Sequence, residues 1–448
     1  ESGKGGGAGD NHRSNMQGIL RSGVAMAIMV TAEAFMSSPA MRVQNLRRLR
    51  SSGPVKRSSI SPRMTLALPR MEPLPPLDGQ LPDCPVTIWN TENIDVAAEQ
   101  QRYKQEGIPE SLLEIVADSE MNAQGLAYFE NNKEMIMKHL KENGAVIFKN
   151  FDLSKTPEGF RRVWETLDMA PCLDPIHNSG LRSFLSSRDG VYEEVNKQSL
   201  AKHYIGLHNE STFKKTATFG AFVCFSPASE SGGEFFIADG AKIFRDLRTD
   251  VLESLYKRGV RISVSNLDLD FLGALGPLKE PAMNFFKGLI GSTVAPKFDM
   301  DLDMIYGADG KPQRLQAIEH RQSPINRHPE TGKPVWFCNI HNHARYLRNK
   351  RPCSVPEVGM TDVYYGDLSQ IPHEYVDHIN EISEKHIQNL AMQSGDVLLI
   401  DNYRMLHGRQ TFQGDRLHAV SWFRKGDEAV TQGKPGNLLN SAVNSLIK

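Results

Sequence analysis

Apolar positions recur at three- and four-residue steps over residues 110–119 and 123–143. That is the period of an amphipathic helix, so the folded part is predicted to open with helices. The stretch Gly144-Ala-Val-Ile-Phe-Lys-Asn-Phe151 then reads as a buried strand. Thr156-Pro157 follows as a helix start running to Leu167, with Thr as the capping residue and Pro in the first turn. Past about Gly206 the apolar positions fall into short runs parted by Gly and Pro: residues 218–225, 233–238, 260–264, 334–339, 396–400 and 417–424. Residues 246–258 read as one inserted helix. Helices followed by a body of short strands with long inserts predict an α+β chain. Its core is expected to be a double-stranded β-helix, or jelly roll, over about 200–425, with N-terminal and inserted helices. There is no internal repeat, and nothing alternates as strand–helix–strand with a Gly-rich phosphate loop, which argues against a nucleotide-binding fold.

The first seventy residues have no such pattern. The chain opens Glu-Ser-Gly-Lys-Gly-Gly-Gly, which suggests upstream sequence with the initiator at Met16. From there a polar stretch with Arg21, a short apolar run over 23–30 and small residues through Ala34 are laid out like a signal peptide. Residues 35–70 hold eight Lys/Arg and no Asp or Glu, and are rich in Ser. That is the composition of a transit peptide. The Ala34-Phe35 junction resembles the cleavage site of the two-part plastid presequences of red-lineage algae, which implies import into the plastid (chloroplast). The alternative is a disordered basic tail. A Pro-rich linker over 71–89 leads into a domain expected over 90–448, its first ordered residues falling between Leu81 and Asn90.

Charge and cysteines narrow the class. The formal charge is −1, and the first 70 residues carry a net +8, so removing them leaves −9. A domain that acidic has no electrostatic case for nucleic acid. Cys84, Cys172, Cys224, Cys338 and Cys353 are odd in number and never spaced CxxC. They predict buried thiols rather than a disulfide framework or a zinc knuckle. No apolar run approaches the ~18 residues of a membrane span. The sequence carries no signal for an oligomeric state.

Candidate chemistry sits in two places. In Leu207-His208-Asn209-Glu210-Ser211 an imidazole and a carboxylate stand two residues apart, and on an extended strand both face one side. Almost two hundred residues on, Gly395-Asp-Val-Leu-Leu-Ile-Asp-Asn-Tyr-Arg-Met-Leu-His407 reads as a turn and a buried strand with His407 at its end. Arg416 is expected on the returning strand. Two His and one carboxylate on one octahedral face suit a non-haem iron(II) site with open positions. Arg suits a dicarboxylate ligand, because its planar fork binds carboxylate bidentately and stays charged when desolvated.

These stretches resemble the taurine dioxygenase, clavaminate synthase and γ-butyrobetaine hydroxylase superfamily of Fe(II)/2-oxoglutarate-dependent dioxygenases. The likeness covers most of 144–424. It includes GAVIFKNFDL and its following helix, Gly232-Gly233-Glu234, HPETGKPVWFCNIHNHA at 328–344 and DNYRMLHGR at 401–409. The resemblance implies a metal site of His208, Glu210 and His407, with Arg416 binding the C5 carboxylate of 2-oxoglutarate. It also implies oxidation of a small-molecule substrate by O2, with the cosubstrate lost as succinate and CO2. Two positions depart from it. Phe235 stands where many members have Thr, and Val420 where some have a second Arg. Arg416 would then work with a different hydroxyl or with water.

The remaining polar residues near these motifs read as support. His341 and His343 form an HxH on an expected strand end, near the cavity but outside the ligand set. Arg404 and Arg409 pair with a carboxylate of the fold or touch substrate. Glu234 reads as a strand-end structural acid, and Asp401 and Asn402 as braces for the loop that carries the distal ligand. The 266–321 insert, with Phe271-Leu-Gly-Ala-Leu-Gly and Pro281-Ala-Met-Asn-Phe-Phe, either caps a bulky apolar ligand or packs on the barrel. A plastid address with this chemistry fits hydroxylation or desaturation of a pigment intermediate, including oxidation of a tetrapyrrole propionate to an acrylate as in chlorophyll c formation. Four alternatives stand beside it: a carotenoid substrate, an amino-acid-like substrate, a jelly-roll binding protein without turnover, and a cupin-like metal enzyme that uses no 2-oxoglutarate.

Overall fold

The computed structural model describes residues 73–77, 79–177, 183–193, 196, 200–268, 281, 284–285, 288, 300–306, 312–354 and 360–425. The presequence-like residues 1–70 lie outside these, as do residues 269–280 and 289–299 of the apolar insert.

Among the described residues two sheets share one apolar layer. The larger runs Leu112–Val116, Ala145–Lys149, Val397–Asp401, Phe219–Ser226, Leu417–Arg424, Val191–Glu193, Phe184–Ser186, with Ala170–Cys172 also paired to Leu417–Arg424. The smaller runs Gln388–Leu390, Phe235–Asp239, Met405–Arg409, Ile205–His208. Neighbours are antiparallel except Leu112–Val116 and Ala145–Lys149, which pair in parallel.

The strands read as continuous apolar runs because both of their faces are buried. Along Val397–Asp401, Leu398 and Ile400 face the smaller sheet, while Val397 and Leu399 face the helices outside. The same alternation puts Ile147, Phe222, Val420 and Trp422 inside and Phe148, Val223, Ala419 and Phe423 outside. Helices Leu126–Asn143 and Pro157–Thr166 cover the outer face with Phe129, Ile136, Phe160 and Trp164. The second was legible from its ends: Thr156 accepts from the Gly159 amide and Pro157 opens the first turn. On the far side, helices Val96–Glu106, Gly240–Asp246, Thr249–Arg258 and His373–Lys385 cover the smaller sheet. The five cysteines are free, four of them buried.

Several expectations need correction. Residues 110–119 are not a helix: Leu112–Val116 is an edge strand paired with Ala145–Lys149. Leu-Leu-Glu-Ile-Val fits either period, and tertiary pairing decides for its β-branched end. The helix starts only after Asp118, which caps Ser119–Gln124, and a break at Gly125 (φ 56°) separates that from Leu126–Asn143. The single helix expected over 246–258 is two, Gly240–Asp246 and Thr249–Arg258, parted at Leu247 and Arg248. The strand expected over 334–339 stops at Trp336. The Pro-rich segment before the domain runs against it, with the Leu77 amide bonded to the Arg188 carbonyl at 2.7 Å and Cys84 and Thr87 buried.

Candidate active site

Register brings the two histidines together. Met405–Arg409 lies in the smaller sheet between Phe235–Asp239 and Ile205–His208, and its His407 stands directly opposite His208. Their rings are 4.3 Å apart between centroids. His407 is thus in the middle of a second strand, reached from Val397–Asp401 through the 402–404 turn, and not at the end of the first as the sequence suggested. Glu210 also differs from expectation. Ile205–His208 ends at His208, so the acid lies beyond the strand and the same-face spacing does not place it. A clamp does. Asn402 Oδ1 accepts from the Glu210 amide at 3.0 Å, while its Nδ2 donates to the carbonyls of Glu210 and Ala217, each at 2.9 Å. One buried amide thereby fixes the acid's backbone to the turn that carries His407.

The result is a donor set: one ligand atom each from His208, Glu210 and His407, all within 4.8 Å of one another. Cis ligands about 2.1 Å from an ion lie about 3 Å apart, so small side-chain rotations close this set on one metal. Two imidazoles and one carboxylate, with Glu210 and His407 buried and His208 half-buried, have the chemistry of a facial iron(II) site. His208 Nδ1 is 2.9 Å from the Gly206 carbonyl, which makes it the protonated nitrogen and leaves Nε2 to ligate. The His407 ring lies parallel to Phe235 (10°, 5.8 Å) and beside Phe222 and Trp422, an apolar wall that restricts its rotation and excludes water.

The HxH segment turns out to be a short helix, Ile340–His343, rather than a strand end. It covers the open edge of Ile205–His208. The Leu207 amide donates to His341 Nδ1 (2.8 Å), the Gly206 amide to Asn342 Oδ1 (3.0 Å) and the Asn209 amide to Asn339 Oδ1 (2.9 Å). Edge amides are satisfied here by side chains instead of another strand. Burial pushes His341 down to about 4, outweighing Glu384, so the ring is neutral and able to accept. Gly206 makes the approach possible, since a Cβ there would sit 2.6 Å from the His341 carbonyl. His343 bonds Thr361 Oγ1 at 3.1 Å and takes no place in the donor set.

Arg416 is buried immediately before Leu417–Arg424, its Nε on the Gly233 carbonyl and a terminal nitrogen on Asn196 Oδ1, each at 3.3 Å. Its stem crosses Gly233 (φ +79°), where a Cβ would lie 3.2 Å from Arg416 Cδ. The Gly-Gly motif is therefore a passage for this side chain. Arg404 pairs with a carboxylate of the fold: Asp239, itself the cap of Gly240–Asp246, at 2.7 and 3.1 Å. Burial opposes ionisation of Asp239, and Arg404 overcomes it, holding the carboxyl below its usual range. Arg409 bonds the carbonyls of Gln410, Leu200 and His203. Asp401 bonds His328 Nε2 at 2.9 Å, and the Glu234 carbonyl accepts from the Gln410 amide. Sequence reasoning missed Asn339, although it lies inside the quoted 328–344 stretch, and Asn196, which no motif distinguishes from other asparagines.

The profile of the taurine catabolism dioxygenase TauD, TfdA family matches residues 112–422, more than half of the 448. The chain belongs to this family. Enzymes of the TauD, TfdA family are oxygenases with iron(II) and 2-oxoglutarate as cofactors, and the donor set above fits the first of these. Among curated proteins the chain is similar to the dapdiamide synthesis protein DdaC of Enterobacter agglomerans. The two are 24% identical over 288 residues, 63% of this chain and 82% of that protein. Among solved structures it is similar to PvcB from Pseudomonas aeruginosa, with TM-score 0.42, 13% identity and coverage of 79% and 96% of the two chains. It is also similar to AAD-2 in complex with Mn(II) and N-oxalylglycine, with TM-score 0.40, 11% identity and coverage of 72% and 97%. No helix among the described residues is long and apolar enough to cross a membrane.

Proposed function

We propose that His208, Glu210 and His407 hold one iron(II), that Arg416 anchors the C5 carboxylate of 2-oxoglutarate, and that the chain hydroxylates or desaturates a small organic substrate with O2. The observation that carries this reading is the cross-strand register of His407 with His208, which together with the Asn402 clamp on Glu210 gathers three donor atoms within 4.8 Å of one another. When bound, the two cofactors supply oxidation of a C–H bond coupled to decarboxylation of 2-oxoglutarate. The protein's own part is placement and dryness. Asn402 fixes Glu210, the Gly206 carbonyl orients His208, and Phe235, Phe222 and Trp422 wall His407 from water. Succinate release tests the reading: iron-loaded protein given 2-oxoglutarate and O2 is expected to form succinate, and no more than a metal-free control would contradict it.

The presequence-like residues add a location to this reading, the plastid of a red-lineage alga. A pigment intermediate, such as a tetrapyrrole propionate oxidised to an acrylate as in chlorophyll c formation, is then the first substrate to try. An amino-acid-like metabolite is the second, and DdaC, by its name a dapdiamide synthesis protein, is a relative in its favour. A fluorescent protein fused behind residues 16–70 is expected to enter such a plastid, and Phe35→Ala to divert it. A cytosolic signal from the intact fusion would refute the address without touching the chemistry.

A further inference from the structure

Two residues beyond Arg416, the fold buries a polar atom and gives it nothing to bond. Along Leu417–Arg424, Val420 and Trp422 face the smaller sheet, and His418 is in register with Cys224 of the same interior layer. His418 therefore points between the sheets, and it is 3% exposed. Asn196 takes both of its main-chain groups, at 2.8 Å each. Ring Nδ1 is buried and has no hydrogen-bond partner among the described residues. Leaving such a nitrogen unsatisfied is unfavourable, a cost that an apolar residue at this core position would avoid. His418 also lines a cavity of about 280 Å³ together with Gly232, Gly233, Glu234 and Met392, and Gly233 is the residue the Arg416 stem crosses. Burial, then the charges of Arg416 and Arg409, hold the imidazole neutral, with one N–H to give. Phe235 and Val420, the neighbouring interior positions, offer no donor.

We infer that His418 is a second anchor for the anion held by Arg416: its ring N–H donates from Nδ1 to the C5 carboxylate of bound 2-oxoglutarate. This rests on the proposed role of Arg416. It makes His418 a positioning residue for the distal end of the cosubstrate.

The test is anaerobic titration of iron-loaded protein with 2-oxoglutarate and, separately, with pyruvate, which has the same keto-acid head and no distal carboxylate. His418→Leu is expected to keep the parent's iron content, to weaken 2-oxoglutarate by about 10–100-fold, and to leave pyruvate within about twofold. His418→Asn, whose amide reaches the Nδ1 position, is expected to regain most of the loss, and His418→Gln little of it. Unchanged 2-oxoglutarate affinity in His418→Leu overturns the inference and leaves Arg416 standing, as do equal losses for both acids. If the Leu variant does not fold, Asn and Gln decide, and equal affinities in those two overturn it. A parent that binds iron but no 2-oxoglutarate overturns the reading beneath.

Discussion

His407→Ala is expected to leave a folded protein that no longer holds iron(II) stoichiometrically. His407 sits between two strands of the smaller sheet and supplies one of the three donors, so its loss leaves His208 and Glu210 alone. Outer-shell changes at metal sites typically cost about 10–100-fold in affinity, and loss of a ligand should exceed that. The parent should also be stabilised by about 2.7 kcal/mol when free iron(II) is at 100 times its Kd, and the variant should not be. Metal analysis and anaerobic thermal unfolding read the two effects. Unchanged iron content in the variant would remove His407 from the site.

The second large effect is expected at Arg416. Breaking a buried ion pair costs about 3–5 kcal/mol, so Arg416→Ala should weaken 2-oxoglutarate by about several hundredfold or more. Arg416→Lys should not rescue it, because an ammonium cannot reproduce the bidentate fork. Iron binding should survive both changes. Affinity equal to the parent's in Arg416→Ala would hand the carboxylate to another cation, with buried Arg409 the nearest candidate in the sequence.

Much of this candidate site was legible because its residues stand in short motifs, two of them histidines, of which the chain has 14. His208, Glu210, His407 and Arg416 all stand out in the chain, and the strand Leu417–Arg424 was visible as an apolar run bounded by polar residues. What failed was local geometry. The spacing of His208 and Glu210 suggested one strand face, yet the acid lies past the strand and is held by Asn402, 192 residues away. That distance is long-range pairing, which periodicity does not encode. His341 was expected outside the ligand set but on a strand end; it lies on the short helix Ile340–His343, and its Nδ1 serves the edge amide of Leu207, a need that exists only once the sheet has formed. Leu112–Val116 failed for the same reason: its apolar run fits two periods, and its partner strand decides between them.

Anaerobic titration of the iron-loaded parent with 2-oxoglutarate, followed through the metal-to-ligand absorption band, tests the site most directly. A band that saturates at one cosubstrate per iron, absent from His407→Ala and displaced to far higher concentration in Arg416→Ala, is the predicted result. A parent that takes up iron yet shows no band at any 2-oxoglutarate concentration would contradict it.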